Sequence, residues 1–137
     1  MIAEPLTEGG LLRDIAAHAS VPAGEREWFG FAVLKRDDGT LVGLASLRAA
    51  DDLRVEAEVG FELGEAYWGS GYGTEILGGL VAIGFKRIGF QRLVGDCLDS
   101  NVASQRVLEK NGFLYESEDE ADGDRRVLRY GRMNEDY

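Results

Sequence analysis

The chain has 137 residues, enough for one domain built around one sizeable core. Its 25 acidic against 15 basic residues leave a net charge of −10. That charge argues against a nucleic-acid partner, since binding a phosphate backbone leans on Lys and Arg. It suits a cationic partner such as an amine or a basic peptide, or it simply keeps the protein in solution.

Cys97 is the single cysteine, so no internal disulfide can form and a cytoplasmic setting is expected. No apolar run approaches the ~20 residues of a membrane span, so no membrane partner is expected. Met1 to Gly10 lacks the basic and apolar regions of a signal peptide.

Leu11 to Ala19 places apolar residues at helical spacing, and Pro22 and Gly24 end that run. Trp28 to Lys35 reads as a strand. Asp37-Asp38-Gly39-Thr40 is a hairpin turn, and Leu41 to Leu47 returns as the second strand. After a turn at Asp51-Asp52, a third strand runs from Arg54 to Leu63. There Val55, Ala57, Val59, Phe61 and Leu63 share one face, and Glu56, Glu58, Gly60 and Glu62 share the other.

A glycine-rich loop follows, Tyr67-Trp68-Gly69-Ser70-Gly71-Tyr72-Gly73, and it opens a helix over Thr74 to Arg87. Gly78, Gly79 and Gly84 each cost that helix roughly 1 kcal/mol against alanine. Such a cost points to close packing against a sheet, and Gly89 stops the helix. Gln91 to Leu98 is a fourth strand. Asp99-Ser100 can cap a second helix, Asn101 to Lys110, which Asn111-Gly112 ends. Phe113 to Glu118 and Arg126 to Met133 close the chain as a hairpin across the acidic turn Asp119 to Asp124. The expected fold is α/β of the α+β type, one domain over residues 1–137. Its sheet is mixed but mostly antiparallel, with flanking helices and one strand–helix–strand crossover at the glycine loop.

Backbone N–H groups left bare by glycines at a helix N-terminus make an anion cradle. A phosphate or pyrophosphate is the natural occupant. A P-loop is excluded because no Lys follows the glycines. A dinucleotide fingerprint matches at Gly69 and Gly71, but Thr74 stands at its third glycine. Asp96 could serve as its ribose acid, yet the loop lies mid-domain after a hairpin meander.

The segment from Glu58 to Phe113 resembles the GNAT superfamily of acyl-CoA-dependent N-acyltransferases. It is most similar to the RimJ/RimL-like branch, which acetylates N-terminal amines of ribosomal proteins. Trp68-Gly69-Ser70-Gly71-Tyr72-Gly73 resembles the superfamily's pyrophosphate loop, Q/R-x-x-G-x-G/A, with Trp in the first position. Glu58-Val59-Gly60-Phe61 resembles the branch's strand before that loop. Asn101-Val102-Ala103-Ser104 and Val107-Leu108-Glu109-Lys110-Asn111-Gly112-Phe113 resemble its N-x-x-S and V-L-E-K-x-G-F segments.

The resemblance implies acetyl-CoA as cosubstrate, no metal, and an amine-bearing small molecule or peptide as acceptor. Trp68, Gly69, Ser70, Gly71, Tyr72, Gly73 and the Thr74 hydroxyl would hold the pyrophosphate. Backbone at Phe61, Glu62 and Leu63 would pair with the pantetheine arm like an added strand. Asn101 would hydrogen-bond that arm, and Ser104 would sit near the sulfur and help protonate the leaving thiolate. Glu58 is the first choice for general base and Glu62 the second. No tyrosine stands clearly where many family members place their acid. Trp68 and Tyr72 are expected as packing residues, and Cys97 as inert core.

Family members usually carry a strand and a long helix ahead of the part that begins here near Leu11. The chain is therefore expected to be an N-terminally short member or one whose start is truncated. Trp28 to Lys35 should then lie at a sheet edge, exposing a strongly apolar run that a second copy would cover in a homodimer, unless Leu11 to Ala19 folds back over it within one chain. The other functional class is a non-catalytic CoA-binding module that has lost its acceptor wall.

Overall fold

The computed structural model describes residues 28–50 and 55–135. Six strands form one sheet: β1 (Trp28–Leu34), β2 (Leu41–Ala49), β3 (Glu56–Leu63), β4 (Arg92–Leu98), β5 (Leu114–Glu120) and β6 (Arg126–Met133). Their order is β1-β2-β3-β4-β6-β5. Every neighbouring pair is antiparallel except β3 and β4, which run parallel. The helix α1 (Tyr72–Ala82) makes the crossover between them, and α2 (Val102–Lys110) joins β4 to β5. This is a single α/β domain with a mixed sheet, as the sequence pattern predicts. No described helix is long and apolar enough to cross a membrane.

The β1–β2 hairpin closes as Asp-Gly chemistry dictates. Gly39 takes a φ of 73°, and the Asp38 carboxylate accepts from the Thr40 N–H at 2.9 Å. On β3 the expected alternation holds, with Ala57 and Val59 buried and Glu58 and Glu62 exposed. Ile76, Leu77 and Leu80 of α1 are wholly buried against the sheet, with Leu47, Ala57 and Leu93 in the same cluster. Gly84 confirms the close-packing argument, because a Cβ there would lie 3.2 Å from Leu93 and 3.6 Å from Leu47. Gly95 does the same for α2: a Cβ would lie 2.8 Å from Leu108.

Several boundaries differ from expectation. The first long helix begins at Tyr72 rather than Thr74, and from Ile83 to Ile88 it widens into a π-helical turn. Gly89, at φ 95°, then stops it, and the Gly89 and Phe90 N–H groups both donate to the Gly84 carbonyl. Asn101 is not the first residue of α2 but its cap, so Asp99 and Ser100 do not fill that role. The strand β2 runs on to Ala49, and β5 runs from Leu114 to Glu120. The expected Leu11–Ala19 helix, the expected lack of a first strand and the Asp51-Asp52 turn lie outside the described residues.

The edge position of β1 is as expected among the described strands. The exposed apolar run is not. Gly30, Phe31, Ala32 and Val33 are buried, and Trp28 alone is well exposed. Phe31 and Val33 point into the core under the helices, while the Trp28 ring folds over Gly30 on the opposite face. The expected homodimer therefore has no exposed apolar run on this strand to cover, while the edge position of β1 remains.

Asn134 pins the end of β6 to the turn after α1. It is 6% exposed, donates from Nδ2 to the Phe90 carbonyl at 3.0 Å, and pairs its N–H with the Gln91 carbonyl at 2.8 Å. Removing the side chain strands a buried carbonyl. Asn134→Ala is expected to cost about 1–3 kcal/mol. Urea unfolding measures it: the midpoint should fall with an unchanged slope. A midpoint equal to wild type would contradict this role.

Candidate acyl-CoA site and acceptor cleft

The parallel pairing of β3 with β4 is short. It covers Glu56 with Arg92, Ala57 with Leu93 and Glu58 with Val94, and then the strands part. Beyond Glu58, β3 keeps β2 on one side and, among the described residues, has no strand on the other. Phe61, Glu62 and Leu63 thus run along a gap, where the Leu63 carbonyl accepts from the Trp68 indole.

The glycine loop stands at the top of this gap. After a 3₁₀ turn over Glu65–Tyr67, Gly69 takes φ 76° and Gly71 takes φ 85°, in the left-handed region that side chains resist. A Cβ at either would meet nothing within 4 Å, so both face open space. Gly71 caps α1 without any side-chain hydrogen bond. Among the described residues, the N–H groups of 69–74 donate to no protein acceptor. A first helical turn always leaves such donors over. Here two left-handed glycines gather them with the dipole's positive end behind them. The arrangement fits a pyrophosphate.

Neighbouring side chains fix the loop. Trp68 is exposed rather than packed, and its Nε1 donates to the Leu63 carbonyl at 3.0 Å. Tyr72 does pack, edge-on to Tyr67 with centroids 5.7 Å apart. Asn111 donates from Nδ2 to the Thr74 carbonyl at 3.2 Å and to that of Val107 at 3.0 Å, tying the start of α1 to the end of α2. Arg132 in turn donates to the Asn111 carbonyl at 2.6 Å. The V-L-E-K-x-G-F segment contains Asn111, but nothing in its spacing signals that clamp.

Asn101 opens α2 on the far side of the gap. Its Oδ1 accepts from the Ser104 N–H at 3.1 Å, so the two residues meet as a helix cap. That leaves the Asn101 Nδ2 and the Ser104 hydroxyl for another partner. Both belong to the turn that follows β4, across from the glycine loop.

Glu58 lies on the face of the sheet opposite the two described helices, at the last paired position before the strands part. It lines a cleft of about 460 Å³ with Trp28, Ser46, Arg48, Val59 and Gly60. Trp28, Ser46 and Arg48 were not singled out from sequence. The register could have found them, since Arg48 stands directly opposite both Glu58 and Trp28. Glu62 is on the same face but does not line the cleft. A larger recess of about 640 Å³ lies beside the start of β5, between Lys110, Leu114, Glu116 and Met133. It shares no residue with the cleft.

The same face carries two ion-pair clusters. Arg92 bridges Glu56 and Glu116, and Arg129 grips Asp96 with both nitrogens at 3.0 and 3.1 Å. The Arg92 guanidinium holds the Glu116 carboxyl below its ordinary range. Burial, then the Asp96 charge, pushes the Cys97 thiol up, so it stays neutral at physiological pH. Among the described residues, no group of three His, Cys, Asp or Glu side chains is placed to hold a metal.

The sequence matches the family described as "Acetyltransferase (GNAT) domain" over residues 2–114. The chain belongs to the GNAT acetyltransferase family. Among curated relatives, the uncharacterized N-acetyltransferase YoaA of Bacillus subtilis (strain 168) is 29% identical over 92 residues, 67% of this chain and 52% of that one. The chain spans about half the length of the curated relatives it matches. A ribosomal-protein-S5-alanine acetyltransferase from Vibrio fischeri superposes with a TM-score of 0.73 at 20% identity, covering 92% of this chain and 68% of that one. A variant of the spermidine N-acetyltransferase SpeG from Vibrio cholerae superposes at 0.75 with 16% identity, covering 88% and 70%. At such identities the likeness is one of fold. The GNAT family transfers acetyl groups from acetyl-CoA, which agrees with the shape of the gap and cradle.

The depressed Glu116 carboxyl sets a pH dependence. A carboxyl lowered in the folded state stabilises above its ordinary value of 4.5 and loses that contribution as pH falls through its lower folded value. The stability difference between wild type and Glu116→Gln should therefore be full at pH 7 and shrink as pH falls below 4.5 through the lower folded value. Chemical denaturation across that range measures it. A difference that stays constant would contradict the pairing.

Proposed function

We propose that the protein is an N-acetyltransferase that moves an acetyl group from acetyl-CoA to a primary amine of a peptide or small molecule. The proposal places it in the RimJ/RimL-like branch and in a cytoplasmic setting. The observation that carries the reading is the row of unpaired N–H groups at 69–74, standing at the mouth of the gap between β3 and β4.

Gly69, Ser70, Gly71, Tyr72 and Gly73 would bind the pyrophosphate through backbone N–H groups, with the Thr74 hydroxyl beside them and the Trp68 indole flanking the cradle. Backbone of Phe61, Glu62 and Leu63 would pair with the pantetheine arm, and the free Asn101 Nδ2 would donate to it from the opposite wall. Bound there, a thioester supplies an activated acyl carbonyl.

The chain's own groups do the rest. The Glu58 carboxylate accepts a proton from the acceptor ammonium, directly or through one water, and leaves the nitrogen lone pair free to attack. Backbone N–H groups along the unpaired edge of β3 support the developing oxyanion. The Ser104 hydroxyl donates a hydrogen bond to the departing thiolate. Glu62 is the less suited base, since it does not line the cleft.

The test is Glu58→Gln, measured by thiol release from acetyl-CoA in the presence of amines. Turnover should fall by roughly 10²–10⁴ while acetyl-CoA affinity is retained. Wild-type turnover in the variant would remove Glu58 from the chemistry.

A further inference from the structure

The cleft beside Glu58 also contains a cation, Arg48, with no ion-pair partner among the described residues. Arg48 and Glu58 are register partners on neighbouring antiparallel strands, and their side chains line the same cavity. Oppositely charged residues in that position ordinarily pair across the strands. These do not. Among the described residues, neither side chain makes a hydrogen bond or an ion pair. The other arginines of this face are already engaged, Arg92 by Glu56 and Glu116, and Arg129 by Asp96. Among the described residues the cleft thus presents, on adjacent strands, a carboxylate and a guanidinium that share no hydrogen bond or ion pair; the Glu58 charge also acts on Arg129 at longer range, and the Trp28 ring lies beside them.

We propose that this cleft recognises a zwitterion, and that the acceptor is a free α-amino acid. The inference rests on the acetyltransferase reading for its chemistry but not for its binding. The α-ammonium would meet Glu58, which then takes its proton. The α-carboxylate, one carbon away, would meet the Arg48 fork, whose planar donors suit a carboxylate. The amino-acid side chain would lie against Trp28, favouring an apolar or aromatic one. A cavity of about 460 Å³ suits a molecule of this size. The same charges disfavour two other amine classes. A polyamine would carry a second cation towards Arg48. A peptide N-terminus offers only a neutral carbonyl where the carboxylate should be.

Calorimetric titration of the full chain, with CoA present, separates these. The probes are L-phenylalanine, L-phenylalaninamide and spermidine at about pH 6.5, where the α-amines are protonated. L-phenylalanine should bind, and the amide and spermidine should bind at least about tenfold more weakly. Arg48→Met should lose that preference by a similar factor, and Arg48→Lys should recover part of it. Melting curves establish that both variants are folded. Equal binding of acid and amide, no binding of the amino acid, or an unchanged preference in folded Arg48→Met would each overturn the proposal. Thiol release run on the same probes reads the other claim separately: amino-acid binding without turnover would sink the acetyltransferase reading and leave the zwitterion site standing.

Discussion

The site depends on one parallel strand pair in an otherwise antiparallel sheet. Hairpins can join antiparallel neighbours, but parallel neighbours need a crossover. The crossover between β3 and β4 is α1, and its N-terminus necessarily returns to the end of the sheet where β3 finishes. In open sheets the crevice at the carboxyl ends of such strands is where ligands bind. Here the crevice is sharpened because the pairing lasts only from Glu56 to Glu58. Glu58 is thus both the last residue of β3 paired with β4 and the first acid met at the gap.

That geometry would not hold without clamps on both helices. A helix whose first turn is bare of partners frays readily. Asn111 prevents this by holding the Thr74 carbonyl from α2, and Arg132 holds Asn111 from β6. At the other end, Asn134 fixes the turn after α1. Between them Gly95 lets Leu108 settle onto β4, since a Cβ there would collide. Loop, helix and strand ends are tied to one sheet, so the N–H row is set before any ligand arrives. Such preorganisation lowers the ordering cost of binding.

Much of this was legible in the chain, for local reasons. The alternation from Val55 to Leu63, the Asp-Gly turn and the glycine loop are each written within a few residues. Helix starts were less legible, because they depend on which residue leaves helical angles. Gly71 is left-handed, which moves the start of α1 forward to Tyr72. Asn101 caps rather than begins α2, so the same residue that marks the family motif also serves the helix. Trp68 stays at the surface instead of packing because its indole N–H finds the Leu63 carbonyl there, a contact that no local pattern reports. Arg48 and Trp28 could not be read locally, since their place beside Glu58 depends on the register of two hairpins. Asn111 and Arg132 act across separate elements, and no spacing rule reports such contacts.

The central claim is that the bare N–H groups of residues 69–74 receive the phosphates of an acyl-CoA. Amide hydrogen exchange reads those groups one by one. With saturating acetyl-CoA, exchange at 69–74 should slow markedly, while exchange in the Ala121–Arg125 turn should stay unchanged. Bound acetyl-CoA with unaltered exchange at 69–74 would place the phosphates elsewhere and contradict the account.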